Sequence, residues 1–272
     1  METKKLQDTA KEIRRKILKM IARAGGGHIT PAFSIVEILT VLYFEILKIN
    51  PAQARDENRD RFILSKGHGS AALYSTLAQA GFFDASLLDT FCQPDGHLGG
   101  HPDIYAVAGI EATTGALGHG FPFGAGIALA GKMDKKDYRV FTLLGDGECQ
   151  EGSVWEAAQF AAHHKLDNLT AIIDYNKYQA MGKISDILGL EPLKQKWEAF
   201  NWVVREVDGH NIEELRETLK EVPFRAGKPN LVIAHTVKGK GVSFMENVAI
   251  WHYRLPNENE MEVAKQELGI SS

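Results

Sequence analysis

The chain has 272 residues, 44% hydrophobic and 24% charged, with a formal net charge of −4. That is ordinary globular composition and enough chain for a large α/β domain or two small ones. No basic tract supplies the attraction a nucleic acid partner needs, no apolar run reaches bilayer length, and two distant cysteines, Cys92 and Cys149, offer neither a zinc knuckle nor a disulfide framework.

The charged N-terminus lacks the apolar core of a signal peptide, so a reducing, cytoplasmic setting is the default expectation. Leu6, Ala10, Ile13, Ile17 and Ile21 recur every three or four positions and predict an amphipathic helix that stops at Gly25-Gly26-Gly27. His28 follows on this flexible turn. Ser34 and Glu37 match a capping box, and the nearly continuous apolar run over residues 35–47 predicts a buried helix.

Residues 61–64 read as a short strand leading through Ser65-Lys66-Gly67-His68-Gly69-Ser70 into a helix near Ala71. Residues 91–120 are dense in glycine, lose periodicity and contain His97, His101 and His119; they predict a long functional loop. Residues 121–133 form a small-residue helix, with Gly124, Gly126, Ala128 and Ala130, able to pack closely on a sheet or on an identical helix.

The centre of the pattern is the apolar run 140–144, a buried strand ending in Gly145-Asp146-Gly147. Ser153 and Glu156 again match a capping box, and residues 154–164 read as the helix returning to a second apolar strand, 169–173, which ends in Asp174 and Asn176. A short helix over 193–200, a strand over 202–207, a helix over 212–221 and a last strand over 231–234 complete the alternation. Irregular chain with Lys238-Gly239-Lys240-Gly241 leads to His252, and a tail helix is expected over 258–268. The alternation predicts one domain, residues 1–272, built as a doubly wound parallel sheet with helices on both faces.

Such sheets bind ligands at the carboxyl ends of their strands. There, oxygen donors from an Asp and an Asn, completed by carbonyls and ligand phosphates, suit Mg2+ better than zinc. Gly-Asp-Gly alone is weak, because many strand-to-helix turns use these residues to bend and cap. His28, His68, His101 and His252 all lie at element ends or in glycine-rich chain. Each could donate hydrogen bonds and move protons near neutral pH, or simply cap a helix. Lys238 and Lys240 could touch phosphate or form a solvated loop. Glu151, near a helix start, could be a cap favoured by the dipole; buried at a subunit contact it would need a partner or a proton.

Taken together, Gly145-Asp146-Gly147-Glu148-Cys149-Gln150-Glu151-Gly152 with Asp174-Tyr175-Asn176 resembles the thiamine diphosphate signature. The segments 60–70, 100–103 and 111–120 are similar to transketolases, in family order over nearly the whole chain. The resemblance implies thiamine diphosphate and Mg2+ as cofactors. Asp146, Asn176 and the Tyr178 carbonyl would hold the metal, while Gly147, His68 and His252 would lie at the diphosphate. Gly115 and Leu117 would pack along the cofactor. His101 would reach the aminopyrimidine or substrate, His28 the substrate hydroxyls, and Glu151 a carboxylate relay between subunits.

Two departures stand out: Ala116 and His119 replace a proline and a glutamine of the family loop, and Tyr253 stands where a glycine commonly follows the histidine. The resemblance covers only the N-terminal half of a full transketolase. The pyrimidine-binding domain and the glutamate that activates the cofactor are expected on a separate C-terminal subunit, in an α2β2 heterotetramer. The implied reaction is transfer of a two-carbon ketol unit between sugar phosphates, in the pentose phosphate pathway. Alternatives are the equivalent subunit of a 2-oxo acid dehydrogenase or a deoxyxylulose-phosphate-type synthase, or a non-catalytic cofactor-binding subunit.

Overall fold

A computed structural model describes residues 1–270. Helix α1 (Thr3–Ala24) buries Leu6, Ala10, Ile13, Ile17 and Ile21 and ends on Gly25, whose φ of 71° is the left-handed cap a glycine takes without steric cost. The chain continues through α2 (Ile29–Phe33), α3 (Val36–Val41), β1 (Arg61–Leu64) and α4 (Ser70–Ala80). A stretch without helix or strand over residues 91–119 matches the expected long loop. Then come α5 (Gly120–Met133), β2 (Val140–Gly145), α6 (Gly152–His163), β3 (Leu169–Tyr175), α7 (Ile184–Ile187), α8 (Leu193–Ala199), β4 (Val203–Asp208), α9 (Ile212–Lys220), β5 (Asn230–His235) and α10 (Glu258–Leu268).

All strand pairs are parallel, in the order β1-β2-β3-β5-β4. Alternate residues feed two cores. Phe141, Leu143, Ile172, Val232 and Ala234 pack with α1, α3, α4 and α9, whereas Val140, Leu144, Ala171, Ile173, Leu231 and Ile233 pack with α5, α6 and α8. Burial on both faces explains why β2 and β3 read as continuous apolar runs rather than alternating ones. In α5, a side chain at Gly124 would run into Thr142 of the sheet, while Gly126 faces open space. This helix therefore meets the sheet through its small residues. The register pairs Gly145 with Asp174 and Tyr175 with His235, so β2, β3 and β5 finish together at one edge.

Three local expectations need correction. Ser34 does not cap α3: its hydroxyl donates to the Pro31 carbonyl at 3.1 Å and to Asp174 Oδ2 at 2.7 Å, and α3 starts after Ile35 with no side-chain cap. Ser153 does not cap α6 either: Glu151 holds the N-cap position, Ser153 lies within the first turn, and its hydroxyl donates to the Gly118 carbonyl at 2.6 Å. In both cases the hydroxyl is turned to donate to a distant acceptor, and its oxygen accepts from no amide of the helix's first turn. The uninterrupted helix over 35–47 is instead α3 followed by a wider turn at Leu42–Ile46, with the Leu47 amide donating five residues back to the Leu42 carbonyl. The capping box that does form, Asn257 with Glu260, starts α10.

Candidate active site at the carboxyl edge of the sheet

The buried turn after β2 presents Asp146, 2% exposed, and the turn after β3 presents Asn176, 5% exposed. Asp146 accepts from the Gly147 amide at 2.8 Å and from the Lys177 amide at 2.5 Å, which ties the two turns together. Asn176 accepts from the Tyr178 amide at 3.0 Å. Burial, and next the neighbouring Asp174 charge, raises the Asp146 carboxyl to about 7. A carboxylate held this way gains most from a cation, which would offset both causes.

Beneath this corner lies a second, closed layer. Lys66 and Asp174 have side-chain exposures of 1% and 0% and form an ion pair at 2.5 Å. Asp174 also accepts from Ser34, Thr236 and Asn176, the last at 2.9 Å, so it fixes the Asn176 amide. Burial opposes ionisation of Asp174, but Lys66 overcomes it and holds the carboxyl below its usual range. Glu148 is similarly enclosed, bonded to Ser65 Oγ at 2.5 Å and to the Gly118 and Gly145 amides at 2.9 and 3.1 Å.

Above the corner, loops from distant parts of the chain bring four imidazoles together. The His28 ring lies 5.6 Å from His68, 5.7 Å from His101 and 5.2 Å from His252, and His68 is 5.5 Å from His252. Burial lowers His28 to about 4, helped by His101 and the two lysines; burial and Lys238 lower His252 to about 3. Burial and Lys66 push His68 in the same direction. These three rings are therefore neutral at pH 7, each with one N–H donor and one acceptor nitrogen. Lys238 reaches in from the segment after β5, 2.9 Å from His252 Nδ1 and 3.0 Å from the Gln179 carbonyl. Burial first, then Lys66, lowers its ammonium to about 8.

These groups line one cavity of about 310 Å³. His28, His68, His101, Gly115, Leu117, Asp146, Gly147, Asn176, Tyr178 and His252 all border it, so ten of the eleven residues to which the family resemblance gives a role converge there, together with Lys238. Glu151 does not: it is exposed, beside Gly118 at the start of α6. Lys240 also points away, to Glu246 at 3.6 Å. Tyr253, one of the family departures, packs edge-on against His28 with centroids 4.7 Å apart and is itself exposed. The roles of Lys66, Glu148 and Gln179 are not evident from the sequence, where their signal is only a polar residue inside a glycine-rich or turn segment.

The arrangement fits a metal-bound diphosphate on its own chemistry. Asp146, Asn176 and the Tyr178 carbonyl are hard oxygen donors. The Gln179 amide nitrogen is buried without a partner, which leaves a donor available to a phosphate oxygen. A Cβ at Gly147 would lie 2.9 Å from Gln179 Cγ, and one at Gly115 would lie 3.2 Å from the His101 ring, so both positions favour bare backbone. Among the described residues no three His, Cys, Asp or Glu side chains cluster to hold a metal; the donor set relies on an amide and a carbonyl instead.

Fold and site together define a domain of the thiamine-diphosphate-dependent class, a parallel α/β sheet with helices on both faces and the ligand edge at its strands' carboxyl ends. The chain belongs to the transketolase family: the family model described as "Transketolase, thiamine diphosphate binding domain" matches residues 5–272. It is 42% identical over 268 residues to one subunit of an apulose-4-phosphate transketolase from Phocaeicola vulgatus, covering 98% of this chain and 95% of that protein. A 6-deoxy-6-sulfo-D-fructose transketolase subunit from a Clostridium species is 43% identical over 263 residues, with 97% and 96% covered. The solved transketolase from Campylobacter jejuni superposes with a TM-score of 0.89 at 33% identity, covering 99% of this chain but 43% of that one. Human transketolase is likewise matched over 42% of its length, at 38% identity. The chain thus has the length of the subunit-type relatives and about two fifths that of the full transketolases. Among the described residues no helix is long and apolar enough to cross a membrane.

Proposed function

We propose that this chain is the N-terminal subunit of a split, cytoplasmic transketolase, folded as one diphosphate-binding domain. It joins a C-terminal subunit, in an α2β2 assembly, that carries the pyrimidine-binding domain and the activating glutamate. The observation that carries the reading is the convergence of Asp146 and Asn176 beneath the imidazoles of His28, His68 and His252. The relatives of this length are named as subunits, which supports a partner on a separate chain.

In this reading Asp146, Asn176 and the Tyr178 carbonyl hold Mg2+, and the Gly147 backbone, Gln179, Lys238, His68 and His252 face the diphosphate. Gly115, Leu117 and His101 flank the rest of the cofactor. When bound, thiamine diphosphate supplies the stabilised carbanion that cleaving a bond beside a ketone requires. The protein's own contribution is positioning and proton handling. His28, neutral and next to three other imidazoles, can accept a proton from a ketose hydroxyl and donate to its neighbour. Lys66 and Asp174, themselves closed off from solvent, keep Asn176 oriented from below. Glu151, exposed here, is free to meet a second copy as part of a carboxylate relay.

The ketose itself is set by what the partner adds. Relatives named for apulose-4-phosphate and 6-deoxy-6-sulfo-D-fructose motivate assays with both phosphorylated and sulfonated ketoses as two-carbon donors. The chain is to be purified with and without its candidate partner and ketol transfer measured with thiamine diphosphate and Mg2+. Activity is expected only from the complex; full activity of the isolated chain would sink the split-subunit reading, and carbon dioxide release would point to a decarboxylating enzyme. Asp146→Ala and Asn176→Ala are each expected to abolish metal-dependent cofactor binding by the complex. Unchanged affinity in calorimetry would refute the metal assignment.

A further inference from the structure

A buried polar chain outside the cavity leads into it. Arg14 on α1 makes a two-pronged ion pair with Glu37 on α3, at 2.5 and 2.7 Å. Glu37 Oε2 lies 2.9 Å from Nδ1 of His210, in the turn between β4 and α9. His210 Nε2 in turn lies 2.8 Å from the backbone amide of Val237. The side chains of Arg14, Glu37 and His210 are only 8%, 10% and 12% exposed.

The direction of each bond follows from chemistry. A backbone amide can only donate, so His210 Nε2 must be the bare, accepting nitrogen, and Nδ1 must carry the proton that it donates to Glu37. Glu37 is there to receive it: burial opposes its ionisation, but Arg14 and the His210 bond prevail and hold its carboxyl at about 2. Arg14 is therefore the anchor, Glu37 the orienting group, and His210 a fixed acceptor aimed at the chain that leaves β5.

That chain is the one bearing Lys238. The Val237 amide is held by His210, the Lys240 carbonyl accepts from Arg14 Nε at 2.9 Å, the Gly239 amide donates to the Thr30 carbonyl at 3.1 Å, and the Lys238 carbonyl accepts from the Asn247 amide at 2.8 Å. The same network thus grips the segment on both sides of Lys238. Glu37 serves both grips, through His210 on one side and Arg14 on the other.

We infer that His210 is a positioning residue, locked as the Nδ1–H tautomer by Glu37, that sets the Val237–Lys240 segment and so places the Lys238 ammonium in the cavity. It touches neither cavity nor ligand and acts only through the Val237 amide. The consequence for cofactor affinity rests on the proposed function, in which Lys238 faces the diphosphate; the tautomer and the hold on the segment do not.

The test uses the full chain and its complex with the partner subunit. In the full chain, nitrogen NMR of labelled histidines is expected to show His210 protonated at Nδ1 and bare at Nε2; the opposite tautomer would overturn the inference. In hydrogen exchange, His210→Phe should speed exchange of residues 236–241 at least ~10-fold, the order expected for losing one buried acceptor, with β2 and β3 unchanged. Unchanged exchange in the segment, or acceleration spread equally through the sheet, would show that His210 has no local positioning role. In the complex, His210→Phe should raise the KM for thiamine diphosphate on the order of 10-fold with a smaller change in kcat. His210→Gln, whose side-chain carbonyl can still accept from Val237, should recover most of that loss. A kcat defect without a KM defect, or a Gln variant as impaired as Phe, would refute the role. If the wild-type complex shows no dependence on thiamine diphosphate, the proposed function fails, and the tautomer and exchange results still decide the positioning.

Discussion

The Lys66–Asp174 pair gives the sharpest test of how the site is held together. Both side chains are closed off from solvent, at 1% and 0% exposure. Lys66→Met keeps the aliphatic stem and removes the ammonium, leaving the Asp174 carboxylate buried without a counter-charge. Stripping one partner from a buried pair costs about 3–5 kcal/mol. Three donors remain on Asp174, from Ser34, Thr236 and Asn176, so the loss is expected at about 3 kcal/mol, the low end of that range. Asp174→Asn leaves the Lys66 ammonium buried without a counter-charge, with only neutral oxygens such as the Pro31 carbonyl at 3.0 Å to accept from it, and should cost at least as much. The double variant Lys66→Met/Asp174→Asn removes both charges and should recover all but about 1 kcal/mol, the net worth of the remaining neutral hydrogen bonds. Urea unfolding at pH 7, comparing midpoints at constant slope, gives the coupling directly. The pH matters, because the Asp174 carboxyl is lowered in the folded state. Its contribution is present above the unfolded carboxylate pKa and lost as pH falls through the folded one. Two single variants whose costs simply add, within about 0.5 kcal/mol as for unconnected sites, would refute the reasoning.

Two further outcomes can be read from the isolated chain. The lowered folded-state pKa values of His28, at about 4, and His252, at about 3, mean that the unfolded chain binds more protons below about pH 6.5. Their contribution is full above that pH and is lost as pH falls toward 4, so His252→Gln should lose less melting temperature between pH 7 and 5 than wild type; an equal or steeper loss would contradict the burial argument. In α5, Gly124→Ala should destabilise by about 1–3 kcal/mol through contact with Thr142, whereas Gly126→Ala, in open space, should stabilise by about 0.5–1 kcal/mol. Equal effects in urea titrations would mean that the sheet does not discriminate between the two faces.

What could be read from the sequence follows the range of the interactions involved. β2 and β3 were legible because both faces are buried, which writes a run of five positions, apolar but for one threonine, into each. Asp146 and Asn176 were legible as a pair: each is an oxygen-bearing side chain just past the end of such a run, and two neighbouring parallel strands bring such ends to one edge. The histidines announced themselves by sitting in flexible or terminal chain, and the structure gathers all four around one cavity. The capping boxes failed for the opposite reason. Ser34 and Ser153 carry the local pattern, but Asp174 and the Gly118 carbonyl, 140 and 35 positions away, take their hydroxyls. Lys66 carries no local sign of its buried pairing, because its partner is 108 positions distant. His210, whose carboxylate partner is 173 positions away, had no local signal at all.

The same distinction separates two layers of the site. The upper layer, with Asp146, Asn176 and the imidazoles, consists of groups left with spare donors or acceptors, and residue type with local context is enough to suggest them. The lower layer, Lys66–Asp174 and Arg14–Glu37–His210, is paired within the protein, with partners distant in sequence, so it leaves no such trace. Yet it determines where the upper layer stands: Asp174 holds the Asn176 amide, and His210 holds the segment that carries Lys238. Lys238 also lies 3.4 Å from the Tyr178 carbonyl, the third oxygen proposed for the metal. A dication on that carbonyl would place two cations on one oxygen, a repulsion relieved by an anionic diphosphate between them. The metal and the phosphate are therefore expected to enter this corner as a unit, with the buried pairs fixing where it sits.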